Sequence, residues 1–221
     1  MIHGREGIGH ERVGRAVYDP RTHLSRRIKV QSVAAGKVIT GRVVASSRVI
    51  AVIAVVAFAG LTALLAQVRI PLGFTPVPVT GQTFAVLLAG ASLGARLGAG
   101  SQLVYLAAGA VGFPVFTGGG SGFDYFTGAT AGYLVGFVLA AALVGRLAER
   151  GQDRRVNTAI TAFLAGSAVI YVCGALGLMV TADMDLTTAI AQGITPFVFG
   201  DLLKAVAAGL VLPVAWKLKG S

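Results

Sequence analysis

The sequence predicts an all-α fold: a polytopic membrane protein of six transmembrane helices, with N- and C-termini both in the cytoplasm. Three observations carry that prediction. Of 221 residues, 55% are hydrophobic and only 13% charged, with a mean hydropathy of +0.77. A soluble domain of this length needs far more polar surface. Six apolar runs are separated by turn-forming stretches, and the Lys and Arg residues fall almost entirely on one side of those runs.

A helix rises about 1.5 Å per residue and the hydrocarbon core is about 30 Å thick, so a span needs roughly 17 to 25 apolar residues. The first run covers about 48–67. It is followed by "VRIPLGFTPVPVTGQT" (68–83), where Pro71, Pro76 and Pro78 cannot continue a helix, so the chain must extend or turn. Thr80 or Thr83 is placed to cap the next helix, with Gln82 at its outer end. The second and third runs, about 79–95 and 98–112, are short and Gly-rich and are separated only by "GARLGAGS". Such segments are tilted, or packed inside a bundle with little lipid contact. The remaining runs cover about 128–147, 157–180 and 196–216.

Charge placement sets the orientation. Ten of the 19 basic residues precede or begin the first span, Arg96 lies in the 2–3 connection, four lie in "GRLAERGQDRRVN" between spans 4 and 5, and Lys217 and Lys219 follow span 6. The alternate connections contain only Arg69. The positive-inside rule therefore puts both termini in the cytoplasm of a plasma-membrane protein. Residues 1–46 are basic without apolar periodicity and are expected to form a disordered cytoplasmic extension; they are not a secretory signal. Residues 47–217 form the membrane domain and 218–221 a cytoplasmic tail.

The formal charge of +10 does not indicate nucleic-acid binding, because no aromatic residues are interleaved with the basic ones as a stacking platform requires. A single cysteine, Cys173, excludes an internal disulfide framework and a cysteine-based metal site. No metal or cofactor is expected. All three histidines lie in the N-terminal extension, which leaves no base for a membrane enzyme's nucleophile and no catalytic residue to name.

The 3–4 loop, "GFPVFTGGGSGFDYFTG" (112–128), sets three consecutive glycines among Phe113, Phe116, Phe123, Tyr125 and Phe126. Glycines let backbone approach a ligand and aromatics give flat apolar walls; the other reading is a flexible loop docked at the membrane interface. Span 6 carries Asp201 and Lys204 near its outer end, at a spacing that puts both on one helix face. A charge at mid-membrane costs roughly 2.5–3.5 kcal/mol on insertion scales. Three readings stay open: a structural ion pair, a snorkelling lysine, or a polar-solute site in an outward-facing cavity shared with the glycine-aromatic loop and Gln82.

Four stretches taken together resemble a known family. "TPVPVTGQT" (75–83), "GFPVFTGGGSG" (112–122), "GATAGYLVGF" (128–137) and "GDLLKA" (200–205), in that order and spacing, are similar to BioY, the biotin-specific S components of energy-coupling-factor (ECF) vitamin transporters. Two positions depart from the family pattern: Ala129 and Ala131 stand in a stretch that usually runs closer to G-P-T-G-G-Y, and Gly81 replaces a larger apolar residue. The resemblance implies a membrane subunit that captures biotin from outside and docks on a transmembrane coupling protein with two ABC-type ATPases. It also implies that Asp201 accepts from the ureido N–H groups and that Lys204 meets the ligand carbonyl or carboxylate. Gly118, Gly119 and Gly120 with Phe113, Phe116 and Tyr133 would enclose the rings, and Gln82 would add a hydrogen bond. In this superfamily small residues of helix 1 meet the coupling protein, which assigns that contact to Ala59 and Ala63. No GxxxxGK[ST] occurs, so ATP hydrolysis belongs to partner chains. The alternative is a self-sufficient secondary transporter for biotin or another small anion. It calls for a second carboxylate deep in a span, whereas the other acids from Asp124 onward all lie in connections.

Overall fold

The computed structural model describes residues 38–220. The elements in chain order are α1 (Gly41–Ser46), α2 (Arg48–Gln67), β1 (Arg69–Ile70), β2 (Val79–Thr80), α3 (Gln82–Leu93), α4 (Ala95–Ala110), α5 (Ala131–Glu149), α6 (Val156–Thr181), α7 (Leu186–Gly193) and α8 (Thr195–Gly220). Two short 3-10 turns, Thr117–Gly119 and Phe123–Thr127, fold the loop between α4 and α5. The helical content agrees with the all-α expectation, and the six expected spans correspond to α2, α3, α4, α5, α6 and α8. Four of these, α2, α5, α6 and α8, are long and apolar enough to cross a bilayer. At about 1.5 Å per residue, the 12 residues of α3 and 16 of α4 fall short of a 30 Å core. Nine residues of α3 are buried, so it packs inside the bundle.

Helix α5 is the hub. It packs against α6, α3 and α4, while α8 lies on α6 and α2 lies on α4 and α3. Small residues make this closeness possible. A Cβ at Gly132 of α5 would collide with the Cys173 carbonyl oxygen of α6, and one at Gly90 of α3 would collide with the Ala141 carbonyl oxygen of α5. Van der Waals contact between closely approaching backbones is a main source of helix association in lipid, where water drives nothing together.

Three local features differ from the sequence expectation. Residues 38–46 are ordered rather than part of a disordered extension: Val38 is buried, and the Thr40 hydroxyl donates to Ser92 O at 2.6 Å, docking α1 on the end of α3. The rest of the expected extension, 1–37, lies outside the described residues. Helix α4 begins at Ala95, immediately after Gly94, because Glu149 at the end of α5 accepts from Ala95 N at 2.9 Å. A carboxylate placed there satisfies a free N–H and complements the positive end of the helix dipole. The connection before α8 contains the extra helix α7, capped by Asp185, whose carboxylate accepts from Thr188 N at 2.9 Å.

The pair expected to meet a partner, Ala59 and Ala63, lies on a face of α2 turned largely inward. Ala59 is buried, together with Thr62 and Ala66, on the face of α2 turned to this chain's own core, and Ala63 packs against that core. The free face carries Val49, Val52, Ile53, Val56 and Leu64 instead. Small residues suit close helix approach whether the neighbour is internal or external, and Ala59 has an internal one.

Candidate substrate-binding site

One end of the bundle encloses a cavity with about 550 Å³ of empty space, open solvent at its mouth included. That is within the range of small-molecule sites. The wall is assembled from every segment reaching this end. The β1–β2 connection gives Val77, Pro78 and Thr80; α3 gives Gln82 and Thr83; α4 gives Tyr105. The loop before α5 contributes Thr117, Tyr125 and Thr130, and α5 itself Tyr133 and Phe137. Ile170 and Tyr171 come from α6, and Phe197, Asp201 and Lys204 from α8.

Proximity of α3, α6 and α8 creates the first polar cluster. Asp201, 3% exposed, has both oxygens engaged. Oδ1 accepts from Lys204 Nζ at 2.7 Å and from the Thr83 hydroxyl at 2.8 Å, while Oδ2 accepts from the Tyr171 hydroxyl at 2.8 Å. Lys204 Nζ donates further to Thr80 O at 2.9 Å and to Thr83 Oγ1 at 2.8 Å. An ammonium has three donors, and these three partners match them. A buried carboxylate and a half-buried ammonium are thus held as one hydrogen-bonded pair, the arrangement that makes burying a charge tolerable. Asp201 Oδ2 retains acceptor capacity toward the cavity, since a carboxylate oxygen can take two donors.

The second cluster is uncharged. Gln82 Oε1 accepts from the hydroxyls of Thr80 at 3.0 Å and Thr117 at 2.9 Å, and its Nε2 donates to Tyr105 OH at 2.7 Å. The remaining wall is aromatic and aliphatic. Tyr133 donates its hydroxyl to Gly193 O at 2.6 Å, which leaves its ring face for the cavity, set edge-on to Phe197 with centroids 6.2 Å apart. Gly174 makes room for that ring: a Cβ there would collide with it.

Asp201, Lys204, Gln82 and Tyr133, expected from sequence as site residues, therefore line one cavity. The others do not line it. Phe116 is fully buried behind the wall, stacked on Tyr125 at 4.5 Å and edge-on to Tyr105 at 5.5 Å. Phe113 is 61% exposed and is not among the lining residues. Gly118, Gly119 and Gly120 form the rim next to Thr117. Gly118 and Gly119 adopt φ of +71° and +77°, values that favour glycine in so tight a turn. Their backbone is fastened to α2 by Gln67, whose Oε1 accepts from Gly119 N at 3.1 Å and whose Nε2 donates to Phe116 O at 3.1 Å. Tyr171 and Tyr105 were not singled out by sequence: each is one hydroxyl in a long apolar run, and the hydroxyl was the only available signal.

The far end of the bundle is built differently. Trp216 of α8 donates its indole N–H to Asp153 in the α5–α6 connection, and the Arg154 guanidinium lies 4.4 Å from the Trp216 ring centroid. The arginine-rich connection is thus at the end opposite the cavity.

Comparison with known proteins agrees with the four-motif resemblance. The family model described as BioY family matches residues 36–221. A biotin transporter BioY of Rhizobium etli is 40% identical over 149 residues, covering 64% of this chain and 79% of the relative. One from Thermotoga maritima is 38% identical over 154 residues, covering 70% and 88%. Among solved structures, an S-component for biotin from an ECF-type ABC transporter superposes with a TM-score of 0.69 at 26% identity, covering 77% of this chain and 92% of the other. This chain belongs to the BioY family.

Proposed function

We propose that this chain is a high-affinity biotin-binding membrane subunit for biotin uptake, an S component energised by a separate ECF coupling protein and two ABC-type ATPases. The observation that carries the reading is the buried Asp201 carboxylate, held by three donors with one of them on Oδ2, beside a wall of Tyr133, Phe137, Ile170 and Phe197. Biotin needs an acceptor for its ureido N–H groups and apolar walls for its fused rings, and this cavity offers both. Lys204 holds the Asp201 carboxylate in place through a 2.7 Å contact, and Gln82 with Tyr105 gives further polar contacts along the cavity. Relatives named as biotin transporters support the choice of vitamin. We place the protein in the plasma membrane with six spans and both termini cytoplasmic. The arginine-rich α5–α6 connection and Lys217 then face inward, and the cavity faces the outside, where a captured vitamin arrives.

Membranes bearing the chain should retain radiolabelled biotin through washing, and unlabelled biotin should displace it while thiamine and riboflavin do not. No retention, or equal displacement by thiamine, overturns the proposal.

A further inference from the structure

The proposed ligand is an anion, yet the cavity lining is electrically neutral. Its one cation is Lys204, paired with Asp201 at 2.7 Å, and its three donors already meet Asp201, Thr83 and Thr80. A ligand carboxylate left in the interior without donors of its own carries a steep desolvation cost. The anionic end must therefore reach toward the mouth and meet a cation there.

Arg69 is not itself a lining residue but neighbours two of them. It lies on β1 directly opposite Thr80 of β2, a lining residue whose hydroxyl belongs to the Gln82 cluster. Directly paired residues of an antiparallel ribbon project side by side from one face. From there the guanidinium crosses to the glycine turn next to Thr117, another lining residue. A Cβ placed on Gly118 would lie 2.5 Å from Arg69 Nη1 and 2.9 Å from Cζ. The glycine at 118 thus leaves the space that the guanidinium fills, which gives this residue a role other than direct ligand contact. Among the described residues no carboxylate lies within ion-pair distance of Arg69. Its planar fork of donors matches a carboxylate two-to-two.

Charge in the surrounding loops favours the same residue. The Thr75 hydroxyl donates to Gln192 O at 2.8 Å, tying the β1–β2 connection to α7, so these connections share one end of the molecule. Together they carry Asp124, Asp183 and Asp185 and a single basic residue, Arg69. An approaching anion meets net negative charge everywhere at this end except here.

We infer that Arg69 is the residue that recognises the ligand carboxylate at the cavity rim, with the ureido ring at Asp201; the inference rests on the biotin reading above. The test titrates the full-length, detergent-solubilised chain with biotin and with its uncharged primary amide, using wild type, Arg69→Gln and Arg69→Lys. Wild type should prefer the free acid by about tenfold, a modest value because the pair is solvent-exposed. Arg69→Gln should lose that preference while its affinity for the amide stays within about twofold, and Arg69→Lys should keep part of it. An Arg69→Gln protein that retains the full preference, or that weakens both ligands equally, overturns the assignment and leaves biotin binding intact. So does a wild type that binds acid and amide alike. Binding of neither ligand by folded wild type removes the biotin reading, and the assignment with it.

Discussion

The Tyr171 hydroxyl provides the sharpest test of how Asp201 is prepared for a ligand. In Tyr171→Phe the carboxylate loses its donor to Oδ2, a 2.8 Å contact on a side chain that is 3% exposed. A hydrogen bond to a charged group contributes about 1.5–3 kcal/mol. In the empty protein, water in the cavity can take the place of the lost donor, so the unliganded state loses little. In the complex the ligand excludes that water, and Oδ2 keeps only the ligand's donor. The loss then falls on the complex and should lie near the lower end, about 1.5–2 kcal/mol, or roughly tenfold to thirtyfold in Kd. Titration calorimetry with biotin measures the affinity, and thermal unfolding without ligand measures the stability. An unchanged Kd, or a weaker Kd matched by an equal loss of unliganded stability, would refute the claim that Tyr171 positions Asp201 for binding.

Two further predictions probe the scaffold. Gly90→Ala inserts a methyl group against the Ala141 carbonyl at the α3–α5 contact. It should destabilise the protein by about 1–3 kcal/mol in detergent melts, as overpacking does elsewhere. Trp216→Phe removes the indole donor to Asp153 at the end opposite the cavity, where Asp153 is 2% exposed. It should lower stability by about 1–3 kcal/mol while leaving biotin affinity unchanged, and a changed affinity would show that the two ends are coupled.

The parts legible in sequence were those with a strong physical signature. Hydropathy located the apolar runs that became α2, α3, α4, α5, α6 and α8, and two charges three residues apart singled out α8 without deciding between an ion pair and a solute site. What escaped notice lacked such a signature. Tyr171 is one aromatic hydroxyl in a helix of 26 residues, and nothing in α6 alone says that it faces Asp201 on α8. The glycines of 118–120 announced a backbone that comes close to something, without saying whether that was a ligand or the Arg69 side chain. Ala59 and Ala63 posed the same ambiguity: small residues at helical spacing fit an internal neighbour as well as a partner, and Ala59 proved internal. The start of α4 depended on Glu149, 54 residues away, and the order of 38–46 on a hydroxyl bound to Ser92, contacts that no local window contains.

The central claim is that the buried Asp201, held by Lys204, Thr83 and Tyr171, receives the polar ring of biotin. Isothermal titration of biotin into purified wild type and Asp201→Asn tests it most directly. The account predicts tight binding by wild type and a loss of two orders of magnitude or more in the variant, about 2.7 kcal/mol, the scale of a charge-assisted partner left unmet. Equal, tight binding by both proteins would contradict it, and would place the ligand away from Asp201.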